Sequence, residues 1–148
     1  MKPEHAVRLD RVAGRWVYPL HRAVYRLTGG AVGGTFEGRP MLLLTTTGRR
    51  TGEPRTCPLL YYPSGHDLVV VASNGGRPAH PAWLHNLRAR EQVQVQVGRR
   101  RRPAVARVVD AAERARWWPE LIRFYAGWAH YETITDRPLE VVVITPRG

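Results

Sequence analysis

Met41-Leu42-Leu43-Leu44-Thr45-Thr46-Thr47, then Gly48-Arg49-Arg50-Thr51-Gly52-Glu53-Pro54-Arg55, then Thr56-Cys57-Pro58-Leu59-Leu60-Tyr61-Tyr62: two short apolar runs flank a loop of glycine, proline and charge. Runs this short, bounded by turn residues, read as strands rather than helices. The pattern recurs at Leu68–Ser73, Gln92–Val97, Ala104–Val109 and Leu139–Thr145. Gln92–Val97 alternates Gln and Val strictly, so one face is buried and the other is wet or faces a ligand. Helices are expected over about Pro81–Arg90 and Ala111–Tyr125, the second capped by Asp110 and kinked at Pro119. Closely spaced short strands with few helices between them specify a mainly β (α+β) fold. The expected architecture is a small, predominantly antiparallel barrel with flanking helices, not a doubly wound parallel sheet.

Upstream, Leu9, Val12, Trp16, Leu20, Val24 and Leu27 recur at helical spacing, and Arg8, Arg11, Arg15, Arg22 and Arg26 follow the same rhythm one residue earlier. This is a basic amphipathic helix, broken near Pro19. It either packs on the domain or lies on an anionic membrane surface. Gly29, Gly30, Gly33 and Gly34 form a connector, which divides the chain into an N-terminal helix (1–30) and one domain (31–148).

The chain has 148 residues, is 43% hydrophobic and carries a net charge of +11, enough apolar content for one core without staples. Cys57 is the sole cysteine, so neither an intramolecular disulfide nor a multi-cysteine metal centre is available. No run of about 18 apolar residues is present to span a bilayer, and the N-terminus lacks the apolar core of a signal peptide. The expected location is the cytoplasm, with peripheral membrane contact through the N-terminal helix.

The charge is uneven. Residues 41–107 carry 11 basic and 3 acidic side chains, whereas residues 108–148 carry 5 and 6. That concentration argues for a localised anion site rather than a solubilising coat. The run Arg99–Arg102 is expected in a turn between two strands. Lys2 is the one lysine beside 22 arginines, a bias that a GC-rich genome produces as readily as a demand for bidentate phosphate recognition.

Walker loops, Gly-x-Ser-x-Gly elbows and His-Glu-x-x-His zinc motifs are absent. His80 and His85 lack a nearby carboxylate to complete a metal set, and Cys57 within a strand reads as a small core thiol. No metal site is expected. What remains is a set of anion-binding and ring-packing residues. Arg49, Arg50 and Arg55 emerge at the ends of neighbouring strands and can converge on phosphate or clustered carboxylates, with Gly48 and Gly52 allowing positive torsions and close approach. Ser73-Asn74-Gly75-Gly76 runs from a strand end into a turn before a short helix, where backbone amides are free to donate. On that helix Trp83 and Asn86 offer an aromatic face and an amide, or else pack in the core. Tyr125, Trp128 and Tyr131 fall on one side of a helical segment, as a pocket wall or as a core stripe.

Taken in order, Leu42 to Gly52, Pro54-Arg55-Thr56-Cys57-Pro58-Leu59, Ala72 to Gly76, His80-Pro81-x-Trp83-x-x-Asn86-Leu87 and Thr135-Asp136-Arg137 resemble the deazaflavin (coenzyme F420)-dependent nitroreductase family, over roughly residues 30–146. The resemblance implies a split β-barrel that binds coenzyme F420, a deazaflavin with a phosphate and an oligoglutamate tail, as hydride donor. It implies that Arg49, Arg50 and Arg55 hold the phosphate and tail and that Thr56, Cys57 and Pro58 flank the cofactor. Ser73, Asn74, Gly75, Gly76, Trp83 and Asn86 would surround the deazaflavin. Asn74 stands where the family has a basic residue, so one cofactor contact differs. Ser73, Tyr125, Trp128 and Tyr131 would handle the substrate, with Trp128 in place of a family tyrosine.

That exchange loses a phenol and gains stacking area, which favours a planar hydrophobic acceptor such as a quinone over nitroimidazoles. The expected activity is therefore hydride transfer from reduced F420 to a quinone-like acceptor, with nitroaromatics and activated enones as further candidates. An FMN enzyme on the related split barrel also needs a phosphate clamp and stands as the alternative. A non-catalytic module for nucleic acid or membranes rests on net charge alone; no helix-turn-helix or RNA-binding aromatic motif is present, so no nucleic-acid partner is expected. The oligomeric state is left open.

Overall fold

A computed structural model describes residues 22–23, 25–26 and 34–148. The amphipathic helix expected over 5–27 therefore lies outside the described residues except for Arg22, Ala23, Tyr25 and Arg26, which are helical. In chain order the elements are β1 (Thr35–Phe36), β2 (Arg39–Thr47), β3 (Pro54–Leu60), β4 (Tyr62–Ser64), β5 (Asp67–Val71), a 3-10 turn (Asn74–Gly76), α1 (Ala82–Ala89), β6 (Gln92–Val97), β7 (Arg100–Val108), α2 (Ala111–Phe124), α3 (Gly127–Thr133) and β8 (Val141–Pro146). No described helix is long and apolar enough to cross a membrane.

All strand pairs are antiparallel, and the ladder runs β3-β2-β6-β7-β8-β5-β4, with the short β1 also on β2. Its two end strands, β3 and β4, are consecutive in the chain with only Tyr61 between them. The sheet must therefore curl until its edges approach each other, which makes it a split barrel. Prolines keep it split. Pro54 and Pro58 on β3 and Pro63 on β4 lack the amide a further ladder would need.

Alternation then sorts the apolar side chains into two cores. Leu42, Leu44, Val70, Val93, Val95, Ala104, Ala106, Val142 and Ile144 point inward, and α1 fills the interior with Trp83, Leu84 and Leu87. On β5 and β8 the intervening Val69, Val71, Val141 and Val143 face outward and are buried again, beneath Leu121 of α2 and Trp128 of α3. Both strands are covered on both sides, which is why they read as unbroken apolar runs. Asp110 caps α2 by accepting from the Glu113 amide at 2.8 Å. Glu113 in turn accepts both Arg107 Nη atoms (2.8 and 2.9 Å) and Trp117 Nε1 (3.1 Å), tying the helix start to β7.

Three expectations are corrected. The run Thr56–Tyr62 is not one strand: it breaks at Tyr61, where the chain crosses from one sheet edge to the other. Arg99–Arg102 is not a turn, because Arg100–Arg102 already pair with Val97, Gln96 and Val95 in the β6–β7 ladder. The turn is only Gly98-Arg99, with Gly98 at φ 61°. The helix after Asp110 stops at Phe124, and Tyr125 is extended (φ −142°), so Tyr125 does not share a helix with Trp128 and Tyr131. The same helix runs on through Pro119, which is exposed, leaving the unpartnered carbonyl open to water.

Two measurements check this packing. Leu84→Ala should cost about 2–5 kcal/mol in urea unfolding, since it opens a cavity inside the barrel. Glu113 titrates at about 2, below its ordinary 4.5, chiefly through its Arg107 hydrogen bonds. A depressed carboxylate pKa adds stability that is present above the unfolded value and lost as pH falls toward the folded one. Glu113→Gln should therefore flatten the loss of stability between pH 4.5 and 2 relative to the parent chain.

Candidate functional site

At the end of the β2–β3 hairpin lies a cleft of about 430 Å³ lined by residues 48–51, 55–57, 82, 83 and 86. Its rim is the hairpin loop. Gly48 N donates to the Glu53 carbonyl (2.7 Å) and Gly52 N to the Gly48 carbonyl (2.8 Å), closing the loop on itself. The two glycines serve different ends. Gly52 adopts φ +74°, whereas a Cβ on Gly48 would stand 2.9 Å from Thr51 Oγ1 and 3.1 Å from the Glu53 carbonyl.

The loop is pinned to α1 by Asn86. Its Oδ1 accepts from the Arg49 amide (3.1 Å), and its Nδ2 donates to Thr46 Oγ1 (3.1 Å) on β2. Asn86 is buried, so these bonds use its amide internally. Arg49 and Arg50 thereby emerge from one small, internally bonded loop, and Arg55 from the start of β3 beside it. Among the described residues the carboxylate of Glu53 reaches only Arg55, at 3.7 Å and with both side chains more than half exposed, so solvent screens that pair. The cleft is strongly cationic on its rim.

Its floor is apolar and comes from Cys57, Ala82 and Trp83. Trp83 is 8% exposed and belongs to the barrel core, so it serves as both packing residue and cleft wall. Burial pushes the Cys57 thiol up to about 12, which leaves it protonated and poorly nucleophilic at neutral pH. Behind the floor Thr56 is gripped three ways: its carbonyl accepts Arg22 Nη1 (2.5 Å), and its hydroxyl meets Arg26 Nη2 (2.9 Å) and Thr45 Oγ1 (2.8 Å). In the sequence Arg22 and Arg26 stand four residues apart on a helical basic face, and that spacing puts them on one side of the helix without marking Thr56 as their partner.

Ser73, Asn74, Gly75, Gly76 and Pro58 do not line this cleft. Pro58 is buried within β3. Ser73–Gly76 form a separate turn that follows β5 in the chain and packs against α3. Gly76 is buried against α3, where a Cβ would come within 2.6 Å of Ile134 Cδ1. Asn74 Nδ2 donates to the Ala79 carbonyl (2.9 Å) and closes the turn. His80 follows, its pKa lowered first by burial and then by Arg137. Among the described residues no His, Cys, Asp and Glu grouping could hold a metal.

Beyond the turn stands an aromatic group. Trp128 is buried, with Tyr125 edge-on to it at 5.4 Å and Tyr131 packed against the same core. Burial, followed by the neighbouring Tyr131, raises the Tyr125 phenol to about 12. Arg39, whose Nε donates to the Phe124 carbonyl (2.5 Å), lies 5.5 Å from the Tyr125 ring, and Phe36 meets that ring edge-on at 6.1 Å. Phe36 and Ile134, the large hydrophobics exposed among the described residues, stand beside Tyr125 and Gly76 respectively. The structure thus brings together seven of the expected residues in the cleft (Arg49, Arg50, Arg55, Thr56, Cys57, Trp83 and Asn86) and leaves the Ser73–Gly76 turn and Tyr125, Trp128 and Tyr131 outside its lining.

The chain is 40% identical over 143 residues to an F420H2-dependent quinone reductase of Mycobacterium tuberculosis, covering 94% of this chain and 96% of that one. A solved F420-H2 dependent reductase superposes with a TM-score of 0.65 at 38% identity, covering 72% of this chain and 94% of its own. A solved domain-swapped dimer reaches 0.66 at 34% identity, covering 88% and 98%. The sequence profile of the F420H2-dependent quinone reductases matches residues 17–146, and the chain belongs to that family.

Proposed function

We propose that this chain reduces a planar, apolar acceptor of the quinone type, with the coenzyme's anionic end on the Arg49–Arg55 rim and its ring toward Cys57, Ala82 and Trp83. Family membership makes the protein an oxidoreductase that depends on reduced coenzyme F420. The observation that carries the assignment of the site is the juxtaposition of three guanidinium groups with an apolar floor in one cleft of about 430 Å³. That donor set fits the group: the forks suit phosphate and carboxylate oxygens, and the floor suits a flat ring. When bound, the coenzyme supplies a hydride.

The chain's own residues bind, orient and exclude water. Asn86 holds the rim before any ligand arrives, which lowers the ordering cost of binding. Tyr125 keeps its proton at neutral pH and serves as a hydrogen-bond donor to an acceptor oxygen, with Tyr131 beside it. Trp128, being buried, supports Tyr125 from behind rather than presenting a free face. Phe36 and Ile134 extend the acceptor region with exposed apolar surface. Nitroaromatics and activated enones present the same planar electrophile and belong in the same substrate panel. We place the reaction in the cytoplasm, with peripheral membrane contact through the part of the N-terminal basic helix that precedes Arg22, because Arg22 and Arg26 are engaged with Thr56.

Titration with reduced coenzyme, oxidised coenzyme and FMN tests the reading directly. Saturable micromolar binding of F420 with weaker FMN binding supports it; preferential FMN binding, with a yellow protein as purified, overturns it. Arg50→Ala or Arg55→Ala should each raise the coenzyme Kd about tenfold, roughly 1.4 kcal/mol, by an amount that shrinks as salt rises. Asn86→Ala should raise Kd through the loop and cost about 1–3 kcal/mol of stability, because it strands Thr46 Oγ1 and the Arg49 amide. Tyr125→Phe should lower quinone turnover by about 10²-fold if the phenol gives up its proton in the rate-limiting step. An unchanged rate removes Tyr125 from the acceptor site.

A further inference from the structure

The segment between β5 and α1 has an uncommon backbone. Asn74, Gly75 and Gly76 adopt φ of 48°, 62° and 75° in succession; asparagine and glycine are the residues that tolerate the left-handed region, but they do so singly, and three in a row do not arise from local preference alone. Such a conformation persists only where its surroundings over-determine it. The turn's internal bonds are few: Gly76 N donates to the Ser73 carbonyl (2.8 Å) and Arg77 N to the Asn74 carbonyl (3.2 Å).

Besides the bond from Asn74 Nδ2 to the Ala79 carbonyl and the packing of Gly76 on Ile134, one side chain from the far end of the sequence restrains the turn. Arg137 Nη1 donates to the Ala72 carbonyl (3.1 Å), Nη2 to the Ser73 carbonyl (2.7 Å) and Nε to the Arg77 carbonyl (3.0 Å). The same Nη1 lies 3.3 Å from His80 Nδ1. A guanidinium only donates, so His80 must accept there as the neutral ring with its proton on Nε2. The fork thus holds both ends of the turn and the residue that leads into α1. Pro138 biases Arg137 toward extended backbone, and the fully buried Leu139 anchors the next step into β8. Both ends of the clamp are therefore fixed.

We propose that Arg137 is a positioning residue: it fixes the Ser73–Arg77 turn, which leads along the chain into the cleft-lining helix α1 and packs at Gly76 against Ile134 and the Tyr131 carbonyl, and so sets the geometry between the bound coenzyme ring and its acceptor. The inference rests on the proposed function for its chemical consequence. Its structural half stands alone. A lysine keeps the charge but cannot span three carbonyls that face one planar fork, so Arg137→Lys separates geometry from charge.

The test has two arms. In the ligand-free protein, hydrogen exchange at the Gly76 and Arg77 amides should quicken about tenfold or more in Arg137→Lys, with β5 and β8 amides unchanged. Unchanged exchange at Gly76 and Arg77 overturns the clamp whatever the protein binds. In the second arm, reduced F420 and a soluble 1,4-naphthoquinone serve as substrates for the parent chain, Arg137→Lys and Arg137→Ala. Turnover should fall about 10–100-fold in both variants, with coenzyme Kd within about threefold, because the rim arginines are untouched. Millimolar guanidinium should restore part of the Arg137→Ala rate and methylammonium should not. Parent-like turnover in Arg137→Lys, or losses of turnover and of coenzyme binding that merely track the folded fraction, overturn the positioning role. A parent chain that neither binds nor oxidises the coenzyme defeats the proposed function instead, while the exchange arm still decides the clamp.

Discussion

A single residue, Tyr61, separates the strands at the two edges of the sheet, and the rest of the molecule follows from that constraint. Seven strands laid side by side cannot have neighbouring ends unless they curl. Curling creates an interior, and an interior lined by Leu, Val and Ala must be filled. The filler is α1, whose Trp83, Leu84 and Leu87 enter the barrel. Once α1 is seated there, its other side chains have no freedom of place. Asn86 stands one turn from its start and meets the β2–β3 loop, and Trp83 lies beside Cys57 at the base of the cleft. Closure of the sheet and formation of the cleft are one event.

The division of burial on β5 and β8 has a second consequence. Because both faces of these strands are covered, the helices α2 and α3 are needed to complete the fold and cannot be treated as appendages. Their aromatic residues are thus constrained twice. Trp128 packs into the outer core, while Tyr125, freed from the helix at Phe124, turns its ring edge-on to it. A stripe of aromatics that resembles a pocket wall in sequence is partly a core and partly a surface, and the helix break between them decides which residue does which.

Much of this was legible from residue order. The strand runs, the mostly antiparallel connections, the Asp110 cap and the convergence of Arg49, Arg50 and Arg55 all depend on local pattern, and local pattern survives folding. What could not be read depends on distance along the chain. Arg137 lies 64 residues from the Ser73 carbonyl it holds, and Arg22 lies 34 from the Thr56 carbonyl. Nothing in the neighbourhood of either arginine marks it as a carbonyl ligand. Asn86 is an intermediate case: its importance was visible, but a buried amide whose partners are Thr46 and the Arg49 backbone acts on the cleft from beneath. The strand break at Tyr61 was hidden for a related reason, since one continuous apolar run serves two different edges.

The same distinction recasts the net charge of +11. Several guanidinium groups are occupied by the protein's own carbonyls: Arg22 by Thr56, Arg39 by Phe124, Arg114 by Leu139, Arg137 by three residues. With a single lysine in the chain, arginine is the residue left to bridge backbone oxygens that the sheet and helices do not satisfy, and its five donors in a rigid plane suit it to several at once. Those arginines still add to the formal charge, but they are fixed in the scaffold as donors to backbone carbonyls. The rim arginines differ in that their loop is held by its backbone and by Asn86, which leaves the side chains available. Charge that is free and localised points to a small anionic ligand, and charge consumed as hydrogen-bond donors points to architecture. The excess over acidic residues includes both kinds together with exposed arginines such as Arg99 and Arg100, so its size alone predicts neither.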